Sequence, residues 1–237
     1  IIKADAYGHG AIQCAHVAIK ERVDYIGVGI IQEGIELRES GITSPILILG
    51  GIYPNEIEDL IKYNLSTSLS NSVIASAISK KAEQANKSVG VHIKIDTGMG
   101  RLGVQPDALT KLMDNVITCK NLKIDGFFTH LSSADEENLE TTHHQISIFS
   151  NLLKKLRTKN FSKMISKNDH ILFHSANTAG LLRFPESRFN LVRPGISLFG
   201  SFPSSATASA FDVLTKENKI TKLRPVMNWK TKIIQIQ

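Results

Sequence analysis

Short apolar runs alternate with amphipathic segments from one end of the chain to the other, and this alternation constrains the fold more than any other feature. Because most of the apolar runs are continuous rather than of alternating polarity, they favour strands of a parallel sheet that is covered on both faces. Eight such runs in α/β order predict a closed (β/α)8 barrel, although an open doubly wound sheet has the same local pattern. The candidate strands are residues 1–3, 25–28, 46–49, 65–69, 89–95, 124–129, 171–173 and 191–196.

The segments between these runs carry helical patterns. Phe149, Leu152, Leu153 and Leu156 recur at the spacing that places one apolar stripe on a helix. Asn71 is a good N-cap for a helix that contains Val73, Ala77 and Ile78, and the Pro106-Asp107 pair predicts the first turn of another helix.

The pattern changes after residue 200, which suggests three parts. Residues 1–200 are predicted to form the barrel, and residues 201–222, rich in Ser, Thr, Ala and Lys without a clear period, a linker or long loop. Residues 223–237 are predicted to supply the first strand of a further, mostly β domain.

The composition is that of an ordinary globular protein, with 42% hydrophobic and 21% charged residues among 237. The net charge of +6 does not indicate nucleic acid, because the lysines are scattered and the aromatic residues do not interleave with them. No run of about 18 apolar residues is present, so we expect no membrane span.

The two cysteines, Cys14 and Cys119, lie far apart in sequence and form no C-x-x-C pair. They predict a reducing cytoplasm, with neither a structural disulfide nor a metal site. No charged-then-apolar leader is visible, which fits the same expectation.

The first segment that contains candidate functional residues begins at Lys3 and reads Lys-Ala-Asp-Ala-Tyr-Gly-His-Gly. A lysine at the carboxyl end of a barrel strand faces the catalytic mouth, where a desolvated amine can attack a carbonyl carbon. Position alone favours a solvated lysine.

The second segment runs from Lys94 to Gly103 and holds three glycines around Arg101. Such a turn can aim the planar guanidinium of Arg101 at a carboxylate or phosphate. By spacing alone it could be a phosphate loop, but its G-x-G is too short for a dinucleotide fingerprint.

Further candidates follow the other strands. His130 comes after the sixth predicted strand, and on position alone it is more often structural than catalytic. Residues 174–179 follow the seventh strand and open a helix, where backbone N–H groups can bind phosphate. Residues 190–196 contain an arginine, a proline and a glycine on the eighth strand. The candidates in these places are Leu49, His130, Asn177, Thr178, Arg193, Gly195 and Ile196.

These segments together resemble the alanine racemases, fold-type III enzymes that depend on pyridoxal phosphate (PLP). The first segment matches the family's lysine signature at seven of eight positions, with Asp5 where Asn is usual. The resemblance implies that Lys3 binds the cofactor covalently and that Tyr7 donates to its phosphate. It also implies that Arg101 contacts the cofactor's phenolic oxygen and the substrate carboxylate.

The resemblance assigns the remaining candidates as well. Lys94 is the lysine that is often carbamylated in the family; a plain amine held by a carboxylate is the alternative. Arg193 would face the pyridine nitrogen and keep it unprotonated, since arginine does not give up its proton, and His130 would bond to Arg193. Asn177, Thr178 and the backbone of Gly195 and Ile196 would hold the phosphate, with Leu49 against the ring.

The implied reaction interconverts L- and D-alanine with two bases, supplying D-alanine for peptidoglycan. Lys3 would be one base, on the D face. The other would be a tyrosine from the C-terminal domain of the partner subunit in a homodimer. All four tyrosines here, Tyr7, Tyr25, Tyr53 and Tyr63, precede that region.

Three alternatives share the fold. The first is a non-catalytic PLP-binding barrel of the cofactor-homeostasis type, which lacks a β domain. The others are a broad-specificity amino-acid racemase and a D-threonine aldolase-like lyase, although no metal ligands for an aldolase are visible near the C-terminus. The motif around Arg101 and the predicted strand after residue 222 favour the racemase.

Overall fold

The computed structural model describes residues 1–158, 170–218, 221–228 and 230–236. Within them, no helix is long and apolar enough to cross a membrane.

Six parallel strands form one curled sheet in which each strand pairs with the next along the chain. They are β1 (Ile26–Val28), β2 (Ile46–Ile48), β3 (Ser66–Leu69), β4 (Val89–Lys94), β5 (Leu122–Phe128) and β6 (Leu172–His174). Each corresponds to a strand predicted from an apolar run, with ends that differ by at most two residues. The α/β order is therefore confirmed, and the sheet is a partial barrel.

The gap between β6 and β1 is spanned by two segments that were predicted as strands and are not. Ile2 N–H donates to the carbonyl of Gly27 over 2.9 Å, and Arg193 N–H donates to Ala176 over 2.9 Å. The Asn190 side chain occupies the edge of β6, accepting from Phe173 N–H at 2.6 Å. Because Pro194 has no N–H, residues 191–196 cannot continue a regular ladder.

The predicted strand at residues 1–3 ends at once, because Lys3–Gly8 is a helical turn whose central residues have left-handed dihedral angles. We call this segment the lysine turn. At the other edge, Ile196–Phe199 is a 3-10 helix rather than the end of a strand.

Helices cover the outside of the sheet. They are α1 (Ala11–Lys20), α2 (Ile31–Glu39), α3 (Ile57–Lys62), α4 (Ser72–Gln84), α5 (Leu109–Val116), α6 (Glu140–Thr158), α7 (Thr178–Arg183) and α8 (Ser205–Asn218); Pro54–Glu56 and Pro185–Ser187 are further 3-10 turns. In α6 the predicted stripe turns inward, with Phe149, Leu153 and Leu156 buried. Asn71 caps α4 by accepting from Val73 N–H at 2.7 Å, as predicted.

Three further predictions about local structure differ from the structure. Helix α5 begins at Leu109, three residues after Pro106. The stretch predicted as a linker contains the fourteen-residue helix α8 (Ser205–Asn218). In the described residues after 220, which are 221–228 and 230–236, no strand is present where one was predicted; the division into domains stays a prediction.

Candidate active site

A cavity of about 480 Å³ opens at the carboxyl ends of the strands, the end at which barrels of this kind carry their chemistry. Every candidate site residue from the sequence lines it, because each lies at the carboxyl end of a strand, in the loop that follows one, or in the segments that close the gap between β6 and β1. The residues are Lys3, Tyr7, Leu49, Lys94, Arg101, His130, Asn177, Thr178, Arg193, Gly195 and Ile196.

The lysine turn places Lys3 at the rim of this cavity. Ala4, Asp5, Ala6 and Tyr7 have φ between 50° and 56°, a conformation that costs roughly 1–2 kcal/mol per residue for side chains other than glycine. Carboxylates hold the turn: Glu33 accepts from Ala4 N–H at 2.5 Å, and Asp5 accepts from Ala11 N–H at 2.7 Å. Lys3 therefore projects from a strained segment that the neighbouring helices fix.

Tyr7, Thr178 and Gly195 form a polar cradle on one side of the cavity. Gly195 N–H donates to the Thr178 hydroxyl at 3.0 Å, and a Cβ at residue 195 would lie 2.4 Å from Tyr7 Oη. Only glycine leaves this space open. Burial raises the pKa of Tyr7, so its hydroxyl stays a hydrogen-bond donor at neutral pH. A hydroxyl pair beside open backbone is suited to a phosphate group.

Asn177 stands at the start of the short helix α7 beside this cradle. Its side chain accepts from Gly180 N–H at 2.9 Å and donates to the carbonyl of Leu131 at 3.1 Å. Asn177 therefore ties the cradle to the loop that follows β5.

Arg193 is a buried cation in the wall of the cavity. Its guanidinium donates to Thr129 O at 2.8 Å and Ser175 O at 3.1 Å, and its Nη2 lies 3.4 Å from His130 Nδ1. Burial lowers the pKa of Arg193 to about 9, which leaves it charged at neutral pH. Burial, followed by the charge of Arg193, lowers the pKa of His130 to about 3, so that histidine is neutral.

Lys94 is buried at the end of β4 among other cations. Burial, then the charges of Arg101 and Arg193, lowers the pKa of the Lys94 amine to about 8. The carboxylate of Asp96 opposes this shift, but it accepts from Gly98 and Gly100 N–H at 3.1 and 3.0 Å. The glycine-rich turn thus engages the carboxylate that opposes the shift at Lys94.

Several residues in this region were not found from the sequence. Glu33 gave no signal because its role is to accept backbone N–H groups from a different segment. Phe128 lines the cavity, with Lys94 Nζ 5.4 Å and Arg193 Cζ 5.4 Å from its ring centroid. His92 and His174, buried inside the strands, could have been noticed as ring nitrogens within apolar runs.

The fold is a curled parallel sheet with a lysine before its first strand and a cradle of hydroxyl and backbone groups near its last strand. A buried arginine lies in the wall of the same cavity. These features together define the class of PLP-binding barrels. The residues present fit that cofactor: an amine for its aldehyde, the cradle for its phosphate and Leu49 for its ring.

Within this class, the chain belongs to the family described as alanine racemase, N-terminal domain, whose model matches residues 1–203. Pyridoxal phosphate is the cofactor of these enzymes.

Similar proteins agree with the family. An alanine racemase from Carboxydothermus hydrogenoformans is 39% identical over 237 residues, which is 100% of this chain and 60% of that protein. One from Treponema denticola is 36% identical, over 100% of this chain and 59% of its own length. The chain thus spans about 60% of the length of these curated relatives.

Solved structures show the same fold. An alanine racemase from Clostridium difficile 630 superimposes with a TM-score of 0.81 at 36% identity, covering 94% of this chain and 58% of that one. The Bacillus anthracis enzyme with bound L-Ala-P superimposes with a TM-score of 0.79 at 28% identity, covering 94% of this chain and 54% of its own.

Proposed function

We propose that this chain is the cofactor-binding barrel of an enzyme that interconverts L- and D-alanine. The observation that carries the proposal is the convergence of Lys3, Arg101, Arg193 and the cradle on one cavity. When bound there, PLP supplies the electron withdrawal that acidifies the α-hydrogen of an amino acid. The protein supplies orientation and proton transfer.

Lys3 binds the cofactor through its amine and then moves the α-proton on the D face of the substrate. The rigid lysine turn supports this role, because a base must reach the proton within about 3 Å. Tyr7 and Thr178 would hold the phosphate together with the backbone of Gly195 and Ile196, and Leu49 would lie against the ring.

Arg193 would weaken the electron withdrawal by the cofactor ring. Its guanidinium only donates, so a ring nitrogen facing it must stay unprotonated and accept a hydrogen bond. With the cofactor bound, this arrangement would favour return of the proton to the substrate over side reactions.

Arg101 binds the substrate carboxylate, and Lys94 orders Arg101 in the form of its carbamate. The surroundings of Lys94 support the carbamate over a plain amine held by a carboxylate, because Asp96 is already bonded to backbone N–H groups. A carbamate turns a buried cation among cations into an anion that can pair with Arg101.

The second base is a tyrosine from the C-terminal domain of a partner subunit, in a cytoplasmic homodimer. The described tyrosines support this assignment. Tyr7 is committed to the cradle and packs on Phe199, with ring centroids 5.4 Å apart, and neither Tyr25, Tyr53 nor Tyr63 lines the cavity.

The test is to incubate the native protein carrying this chain with L-alanine and follow the loss of ellipticity. We expect equilibration to the racemate, and complete loss of activity in Lys3→Ala. Parallel incubations with serine, lysine and arginine distinguish an alanine racemase from a broad-specificity racemase, which would also invert these amino acids. A protein that binds PLP and inverts none of them is the non-catalytic barrel, and the proposal is then wrong.

A further inference from the structure

Two histidines form a buried pair behind Arg193, outside the cavity. His92 on β4 and His174 on β6 both have no exposed surface. His92 Nδ1 lies 2.9 Å from His174 Nε2, and His174 Nδ1 lies 2.8 Å from Arg193 Nη1. Three polar side chains therefore form one continuous hydrogen-bonded row across the barrel interior.

The direction of this row follows from the chemistry of Arg193. A guanidinium only donates, so His174 Nδ1 must accept and carry no proton. The proton of neutral His174 is then on Nε2, which donates to His92 Nδ1. It follows that His92 carries its proton on Nε2, and both rings are neutral. Burial, followed by the charge of Arg193, lowers the pKa of His92 to about 3 and that of His174 well below its usual value.

Packing alone does not explain a histidine at position 92. Its Nε2 has no hydrogen-bond partner among the described residues, and an unsatisfied buried donor is unfavourable where an apolar side chain would cost nothing. The neighbouring backbone leaves room for an imidazole ring at position 92. The β4–β5 register shifts between Val91 and His92, and a Cβ at Gly126 would lie 2.6 Å from His92 Nδ1.

We propose that His92 is a positioning residue: by accepting from Nε2–H of His174 it stabilises the tautomer that Arg193 requires, and His174 in that tautomer holds the guanidinium of Arg193 toward the cavity. The carbonyls of Thr129 and Ser175 hold only Nη2. Nη1 has His174 Nδ1 as its partner. In the other tautomer, the N–H of His174 Nδ1 would face the N–H of Arg193 Nη1, and the two donors would repel each other and rotate the guanidinium. The expected effect of His92 on catalysis rests on the proposed function, whereas the expected tautomer of His174 does not.

The experiment compares the native protein with His92→Leu and His92→Asn, using 15N-labelled histidine and solid-state NMR with and without PLP. The asparagine Oδ1 reproduces the acceptor at the Nδ1 position, whereas leucine removes it. His16→Leu, at an exposed position on α1, is the matched control. Urea unfolding midpoints report any general loss of stability.

We expect the His174 signals to show a bare Nδ1 and a protonated Nε2 in the native protein, His92→Asn and His16→Leu. In His92→Leu the buried Nε2–H of His174 loses its acceptor, so a fraction of the molecules should move the proton to Nδ1 and the signals should become a mixture. With alanine, His92→Leu should lose about 10-fold to 100-fold in kcat with little change in KM, as expected for a misplaced group, and its cofactor absorption should shift. His92→Asn should stay within about 3-fold of the native protein.

An unchanged His174 tautomer in His92→Leu would overturn the proposal, and so would an asparagine variant that behaves like the leucine variant. If His92→Leu does not fold, the NMR signals and kinetics of His92→Asn decide. A protein inactive toward alanine but with these tautomers would contradict the proposed function and leave the role of His92 intact.

Discussion

Four lysine and arginine side chains line the cavity, and their charges favour an anionic ligand. Lys3, Lys94, Arg101 and Arg193 all line it, and Arg193 and Lys94 are almost completely buried. Like charges so placed repel each other unless anions lie between them. The phosphate of PLP, a substrate carboxylate and a carbamate are three such anions.

Lys94 is predicted to carry carbon dioxide. An amine must be neutral to form a carbamate, and with its pKa lowered to about 8 roughly one Lys94 amine in ten is neutral at pH 7. Protein equilibrated with 13C-bicarbonate should therefore show one carbamate carbon resonance, absent in Lys94→Ala and present in Lys80→Ala. As the pH falls below about 8 the amine protonates and the resonance should decline. No resonance at pH 8 in the native protein would leave the plain amine as the correct form.

Arg193→Glu is predicted to change both spectrum and rate. A carboxylic acid can give the ring nitrogen a proton, which strengthens electron withdrawal and lets a carbanion accumulate. We expect a new long-wavelength absorption band with alanine and slower racemisation, while Arg193→Lys should be slower without the band. The same spectrum and rate in Arg193→Glu would mean that Arg193 lies away from the ring.

At the scale of elements, the lysine turn connects a strained backbone to a catalytic amine. Glu33 on α2 accepts from Ala4 N–H and also from Gly29 N–H at 2.6 Å. One carboxylate thus joins the lysine turn to the end of β1. The cost of four left-handed residues is offset by contacts that reach across the sheet edge.

Glu33→Ala is predicted to loosen this turn. Loss of the acceptor leaves backbone N–H groups unpaired, which should lower the free energy of unfolding by about 1–3 kcal/mol and slow covalent attachment of PLP. Glu36→Ala, an exposed position on the same helix, should stay within about 0.5 kcal/mol. Urea unfolding and the rate of PLP uptake measure the two effects. Equal unfolding free energies and equal rates of PLP uptake in the two variants would show that the Glu33 carboxylate does not hold the lysine turn.

The same elements show what a sequence can and cannot reveal. The strands between residues 26 and 174 were predictable because most are buried apolar runs, while β3 (Ser66–Leu69) is a short, largely polar run between two helical segments. The segments at 1–3 and 191–196 were not, since their hydrogen bonds depend on Asn190, Pro194 and Glu33 rather than on apolar pattern. Helix α8 (Ser205–Asn218) was missed because small polar residues weaken the helical period. The site residues were found through motif resemblance; His92 and Glu33, which act through other groups, were not.

At the scale of the whole molecule, the cavity is predicted to work from one face of the substrate. Inversion needs one group to remove the α-proton and another to return a proton on the opposite side. Residues 1–237 alone should therefore bind PLP and exchange the α-hydrogen of D-alanine with solvent deuterium, but invert alanine about 10²-fold to 10⁴-fold more slowly than a two-base enzyme. Mass spectrometry and circular dichroism on one sample separate exchange from inversion. Full inversion by these residues would show that the second base lies among them.

The central claim is that PLP is attached to Lys3, and borohydride reduction tests it most directly. The native protein is loaded with PLP, reduced, digested and analysed by peptide mass spectrometry, with Lys3→Ala and the exposed Lys20→Ala treated in parallel. We expect one pyridoxyl group, on Lys3, which is retained in Lys20→Ala and lost in Lys3→Ala. A pyridoxyl group on Lys94, or on any other lysine of the native protein, would contradict it.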